Sequence, residues 1–239
     1  MQTFVDPNAA TIELGSLEHI IYLIGFALVI AFLIKNRWRV KKEPKKAMVI
    51  ILSSAVLQRV LSVIYFVGFT DYSLTESLPL HICRLVCYLI IIQFFVNKAW
   101  LDQVIFYWGI FAYASFIYPV GISSPFHMLG VTFFILHSLI IVYPYIRYAI
   151  YGFVPNIKGA IISALGFMVY MTSAHLLNKL IGSNYFYTID RPFWQDLGEF
   201  EYYIITLSGV MFGFVIVGIL IQSVIPMFRY ITKDRLKEN

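Results

Sequence analysis

Charge is what this chain has least of. Only 13% of its 239 residues are Asp, Glu, Lys or Arg, roughly half the share in soluble domains. Together with 60% hydrophobic residues, this excludes an ordinary water-covered surface, because only hydrocarbon tolerates so much bare apolar area. Cysteine is nearly missing. The two present, Cys83 and Cys87, fall one helical turn apart, where a disulfide would strain the helix, so no disulfide framework is expected. There is no HExxH pattern, no repeat and no heptad run. The first sixteen residues lack a basic region followed by a short apolar core, so a cleaved signal peptide is not expected.

What is present is a series of seven apolar stretches: Leu17–Lys35, Ala47–Phe69, Pro79–Val96, Asp102–Tyr118, Met128–Tyr148, Gly159–Leu180 and Tyr202–Pro226. Each approaches the ~20 residues a helix needs to cross ~30 Å of hydrocarbon. The expected architecture is all-α: a polytopic membrane protein, one seven-transmembrane-helix bundle spanning 1–239.

The basic residues sort to one side of these spans. Lys35, Arg37, Arg39, Lys41, Lys42, Lys45 and Lys46 crowd the first connection. Lys98, Arg147, Lys158, Arg229, Lys233, Arg235 and Lys237 join them, against only Lys179 and Arg191 opposite. Short basic loops stay cytoplasmic, which puts the N-terminus outside and the C-terminus in the cytoplasm. The net charge of +5 is then a topology signal, and no nucleic-acid partner is expected. Gly209 and Gly213 make a small-residue ridge that would let a neighbouring helix come close.

An ionisable group inside a span costs at least ~2.5 kcal/mol, so it should face the bundle interior or water. Arg59, His81, Arg84, His137 and His175 stand out, all in the middle or outer half by span direction. On the second span Ser54, Gln58, Ser62 and Tyr65 form a polar stripe beside Arg59. His81 and Arg84 share a face at i, i+3, as do His175 and Asn178. The polar and aromatic segment containing Asn184 and Tyr185 could cover a pocket mouth. His19 and His127 sit at span ends and carry no expected role.

Three chemistries fit. Histidine can deprotonate a thiol that attacks an ester carbonyl, with arginine holding phosphate or oxyanion; Cys83 and His137 are the natural pair. On a helical wheel Cys83 lies about 100° from Arg84 and about 160° from His81, at the flank of their face. His81, His137 and His175 could instead hold a catalytic zinc, although no acidic general base accompanies them. The third reading is a lipid-binding or transport bundle without catalysis. The last span has no lysine, which excludes a retinal Schiff base there.

Three segments carry a family resemblance: Leu78-Pro-Leu-His-Ile-Cys-Arg-Leu85, Phe133-Phe-Ile-Leu-His-Ser-Leu139 and Gly182-Ser-Asn-Tyr-Phe-Tyr187. In order and spacing they resemble the YwaF-type family of bacterial integral membrane proteins. That family is similar to a eukaryotic transmembrane acyltransferase that builds arachidonoyl ether phospholipids. It is more distantly similar to androgen-induced-gene-type hydrolases of fatty-acid esters. The resemblance implies a multi-pass protein of a bacterial plasma membrane, acting on membrane lipids without a cofactor. It implies that His137 is the catalytic histidine and that the nucleophile lies in Leu78–Leu85. The eukaryotic pattern reads Pro-Cys-His where this chain has Pro79-Leu80-His81, so the nucleophile column holds Leu80 and Cys83 is its neighbour. The expected function is a lipid acyltransferase or lipid-ester hydrolase. His137 and Cys83 would do the chemistry, and His81, Arg84, Arg59, Gln58, His175, Asn178, Asn184 and Tyr185 would line the substrate site.

Overall fold

A computed structural model describes the backbone of residues 2–235 and the side chains of residues 4–224. The side chains of Arg229, Lys233, Arg235 and Lys237 lie outside the described residues. After a short turn at Gln2–Val5 come seven long helices: α1 Leu17–Lys42, α2 Pro44–Gly68, α3 Ile82–Val96, α4 Ala99–Ile117, α5 Met128–Tyr151, α6 Ile157–Ile181 and α7 Glu199–Arg235. Among the described residues there is no strand, only an isolated bridge between Thr11 and Ser123. The protein is all-helical and multi-pass. Helices α1, α2, α5, α6 and α7 are long and apolar enough to cross a membrane. Helix α3 has 15 residues and reaches only about 22 Å at ~1.5 Å per residue.

Two boundaries differ from the sequence reading. The basic segment is not a loop. Helix α1 continues through Arg37 and Arg39 to Lys42, and Pro44 opens α2 after the single residue Glu43. Lys and Arg are good helix formers, so hydropathy marked the edge of the apolar run and not the end of the helix. His81 precedes α3 as its N-cap, with extended backbone (φ −62°, ψ 136°). Pro79 disfavours helix at Leu78, and α3 begins only at Ile82.

Local chemistry fixes the other ends. Ser16 accepts from His19 N (3.2 Å) at the start of α1, and Asn156 accepts from Gly159 N (2.8 Å) at the start of α6. His19 and His127 are structural. His19 Nε2 donates to the Phe116 carbonyl (2.8 Å), while His127 caps α5 and its Nε2 donates to the Asp6 carbonyl (3.1 Å). The expected ridge at Gly209 and Gly213 receives no helix of this chain, since nothing lies within 4 Å of a Cβ built at either. The close approach on α7 is at Gly218, where an added Cβ would stand 2.9 Å from Tyr107 Oη and 3.3 Å from Ala160 Cβ.

One end of the bundle holds a buried ion pair. Arg147 on α5 donates through Nε (3.1 Å) and a terminal nitrogen (2.6 Å) to Asp102 Oδ2 on α4. Tyr143 donates to Oδ1 (2.8 Å), Asn97 accepts from Arg147 (2.8 Å), and the Tyr151 ring lies 4.2 Å from the guanidinium. Arg147 is therefore a paired core residue and not a free loop charge. Removing one partner strands the other. Asp102→Ala is expected to destabilise the protein by about 3–5 kcal/mol. The double variant Asp102→Ala/Arg147→Met should recover most of that loss, as read by thermal unfolding in detergent.

Candidate functional site

Arginine, histidine and cysteine side chains from three helices converge on one cavity of about 670 Å³. Helix α2 contributes Gln58, Arg59 and Ser62; the start of α3 contributes His81, Cys83 and Arg84; α5 contributes Thr132, Phe133 and His137. Helix α4 and the upper part of α7 close the remaining side. The three segments that carry the family resemblance all reach this cavity.

The arginines are oriented but not neutralised. Gln58 donates through Nε2 to the Thr132 carbonyl and to Ser62 Oγ (both 3.2 Å), leaving its Oε1 to accept from Arg59 Nε (2.6 Å). A terminal nitrogen of Arg59 reaches Ser62 Oγ (3.3 Å). Arg84 donates to the carbonyls of Glu76 (3.0 Å) and Leu78 (3.2 Å), and its guanidinium lies 5.0 Å from the Phe66 ring centroid. Among the described residues neither arginine has a carboxylate within ion-pair distance. Glu76 alone brings a carboxylate to the cavity wall. Two fixed positive charges facing a shared hollow favour an anion there.

His137 is fixed in one tautomer. Its Nδ1 donates to the Phe133 carbonyl (2.8 Å), because a carbonyl only accepts, so Nε2 carries the lone pair. The ring lies against Phe133, centroid to centroid 4.0 Å. Cys83 lines the same cavity, and Leu80 does not. The wheel difficulty disappears because His81 is outside the helix, leaving Cys83 and Arg84 as consecutive residues of its first turn. Cys87 points elsewhere, its Sγ 3.8 Å from the Ala55 carbonyl and from Gln58 Oε1. Both cysteines are free. Among the described residues no hydrogen bond joins Cys83 to His137.

Three expected site residues lie off the cavity. His175 Nε2 faces Glu199 Oε1 at 3.0 Å, and Lys179 pairs with the same oxygen. The three histidines of the zinc reading are therefore not brought together, and no group of three His, Cys, Asp or Glu among the described residues is placed to hold a metal. Asn178 is spent on the outer loop. Its Nδ2 donates to the Tyr185 carbonyl and Thr188 Oγ1 (both 2.8 Å), and its Oδ1 accepts from Ser183 Oγ (2.7 Å) and Tyr185 N (2.8 Å). Tyr185 backs the His81 ring at 5.2 Å and donates to the Leu74 carbonyl (2.7 Å). Asn184 does line the cavity, while its amide holds the loop through Ile189 and Asp190.

That loop is strained. Phe186 (φ 58°) and Tyr187 (φ 53°) occupy the left-handed region, each at a cost of about 1–2 kcal/mol. The strain aims both rings inward. Phe186 packs against Phe111 and Phe167 at 5.2 and 5.1 Å, and Tyr187 Oη donates to the Val120 carbonyl (3.2 Å). Burial raises the phenols of Tyr185 and Tyr187 above their ordinary value, so both remain neutral donors.

Sequence reasoning missed Thr206 on α7, whose buried Oγ1 lacks a hydrogen-bond partner at the cavity wall. A hydroxyl in an otherwise apolar stretch was the available signal, and a search for ionisable groups passes over it.

A family model described as the TMEM164 family matches residues 14–219. No curated protein and no solved structure matches the chain.

The clamp at Asn178 is open to test. Asn178→Ala removes four hydrogen bonds from the cover. At a net ~0.5 kcal/mol for each of these four buried bonds, local opening should become easier by about 2 kcal/mol, roughly thirtyfold in amide exchange over residues 183–189. Exchange in α4 and α5 should stay unchanged.

Proposed function

The chain belongs to the TMEM164 family, and we propose that it is a lipid acyltransferase or lipid-ester hydrolase whose reaction takes place in the cavity between α2, α3 and α5. In this reading all seven helices cross the bilayer of a bacterial plasma membrane. The N-terminus is outside and the C-terminus cytoplasmic, as the distribution of Lys and Arg favours, and the cavity opens toward the outer leaflet. The observation that carries the proposal is the meeting of Cys83, His137 and two arginines without carboxylate partners around one hollow. The resemblance of Leu78–Leu85 and Phe133–Leu139 to the YwaF-type family, itself similar to a eukaryotic transmembrane acyltransferase, favours the same reading.

The chemistry follows from these groups. Arg59 and Arg84 hold the phosphate of a phospholipid. His137 Nε2 takes the proton of the Cys83 thiol as sulfur attacks the ester carbonyl. The tetrahedral intermediate collapses when His137 returns that proton to the departing alcohol oxygen, leaving an acyl thioester on Cys83. A second hydroxyl, from a lysolipid or from water, then attacks the thioester with His137 again as base, and the thiol is restored. Catalytic hydrogen bonds are often loose without substrate and tighten on binding, so in this reading Cys83 and His137, which share the cavity wall, come into contact when the lipid binds. That same missing bond is what favours the second reading, a bundle that binds phospholipid without turnover.

An activated-ester phospholipid probe separates these. The wild type should acquire a thioester at Cys83, Cys83→Ala should acquire none, and His137→Ala should label about 10²–10⁴-fold more slowly. Full labelling of Cys83→Ala removes the cysteine role, and absence of labelling in wild type with retained phospholipid favours the binder. Arg84→Met should raise KM by roughly tenfold with kcat little changed, since it removes binding common to substrate and transition state.

A further inference from the structure

The cavity has a second wall that its polar chemistry does not explain. Helices α4 and α7 line it from opposite sides yet scarcely touch each other. They meet through Phe214 toward the inner end, 5.6 Å from Tyr107 and 6.2 Å from Phe111 between ring centroids. At the outer end Tyr118 of α4 packs on Phe193 of the cover loop at 4.8 Å. Between these closures stand Ala114 on one side and Thr206 and Val210 on the other, all of them cavity-lining. Ala114 is exposed as well as cavity-lining, so the hollow is open at this point of α4. From Phe111 to Tyr118 the opening is about 10 Å tall at ~1.5 Å per residue, enough for an extended hydrocarbon chain.

The surroundings choose the occupant. Ile117, Ile205 and Phe212 beside the opening are exposed and apolar, at 69%, 44% and 69% of their surface. A surface of that kind faces acyl chains and not water. Inside the opening, Thr206 Oγ1 is buried and unpartnered, and a hydroxyl so placed can donate to an ester carbonyl. Deeper in lie Arg59 and Arg84.

We propose that the gap between α4 and α7 is a lateral portal that seats an acyl chain of a membrane phospholipid, its ester at Thr206 and its phosphate at the two arginines. This rests on the cavity being the lipid site proposed above. It adds the route of entry and the place of the chain, and it does not require turnover.

The test uses full-length protein in phosphatidylcholine nanodiscs and two photo-reactive phosphatidylcholines. One carries a diazirine at the end of a sixteen-carbon chain, and the other is a dihexanoyl analogue with the diazirine on its short chain. In wild type the long probe should crosslink to peptides containing Ala114 and Val210, and both probes should label competitively with unlabelled phosphatidylcholine. Ala114→Trp and, independently, Val210→Trp fill the opening. Each should cut long-probe labelling by roughly tenfold while changing short-probe labelling less than about twofold. Leu28→Trp, at an exposed position of α1 that does not line the cavity, should change neither and controls for folding. If both blocking variants label like wild type with the long probe, the portal is wrong and the cavity reading stands. If neither probe labels wild type, portal and cavity reading fall together.

Discussion

A guanidinium placed in hydrocarbon must find a partner or water, and this protein answers that demand in two opposite ways. Arg147 is given a full set of acceptors: Asp102, Asn97 and the face of Tyr151. That cluster ties α4 to α5 and asks nothing of a ligand. Arg59 and Arg84 are given carbonyl, amide and hydroxyl oxygens, but no carboxylate among the described residues. Orienting a charge without cancelling it leaves electrostatic potential in the cavity, available to whatever anion enters. The two kinds of arginine in this bundle differ in this incompleteness.

The outer cover follows the same logic. Phe186 and Tyr187 sit in backbone conformations that side chains disfavour, and the surrounding packing holds them there. Asn178 fixes the loop from below, and Tyr185 fixes it to the Leu74 carbonyl. The strain is local to the cavity mouth, where it directs two rings toward the interior. The loop between α6 and α7 is thus a wall of the cavity as well as a connection between helices.

Much of this was legible in the residues. Long apolar runs predict the helices, and deep Arg and His on separate spans predict a shared polar centre, which Arg59, His81, Arg84 and His137 form. The misreadings have physical sources. His175 pairs with Glu199 from another helix, and no local pattern reveals where that carboxylate will lie. Asn178 shares a face with His175, as expected, but its four bonds go to a loop whose fold depends on left-handed aromatic residues, and sequence periodicity does not show these. His81 sits outside α3 because the apolar run starts before the helix does, and hydropathy does not mark that start. Asp102 passed as a span boundary because its partner, Arg147, had been counted with the loop charges.

Helix α7 is fastened to the bundle along α6, with only its inner half also meeting α4 at Phe214 and Gly218. Its first half, bearing Thr206 and Val210, stands like a door leaf fastened along one edge, against α6. The width of the cavity between α4 and α7 is consequently set along the seam between α6 and α7. Small residues along that seam, Ala160 and Gly218 among them, act as shims that set how far the leaf stands from its frame.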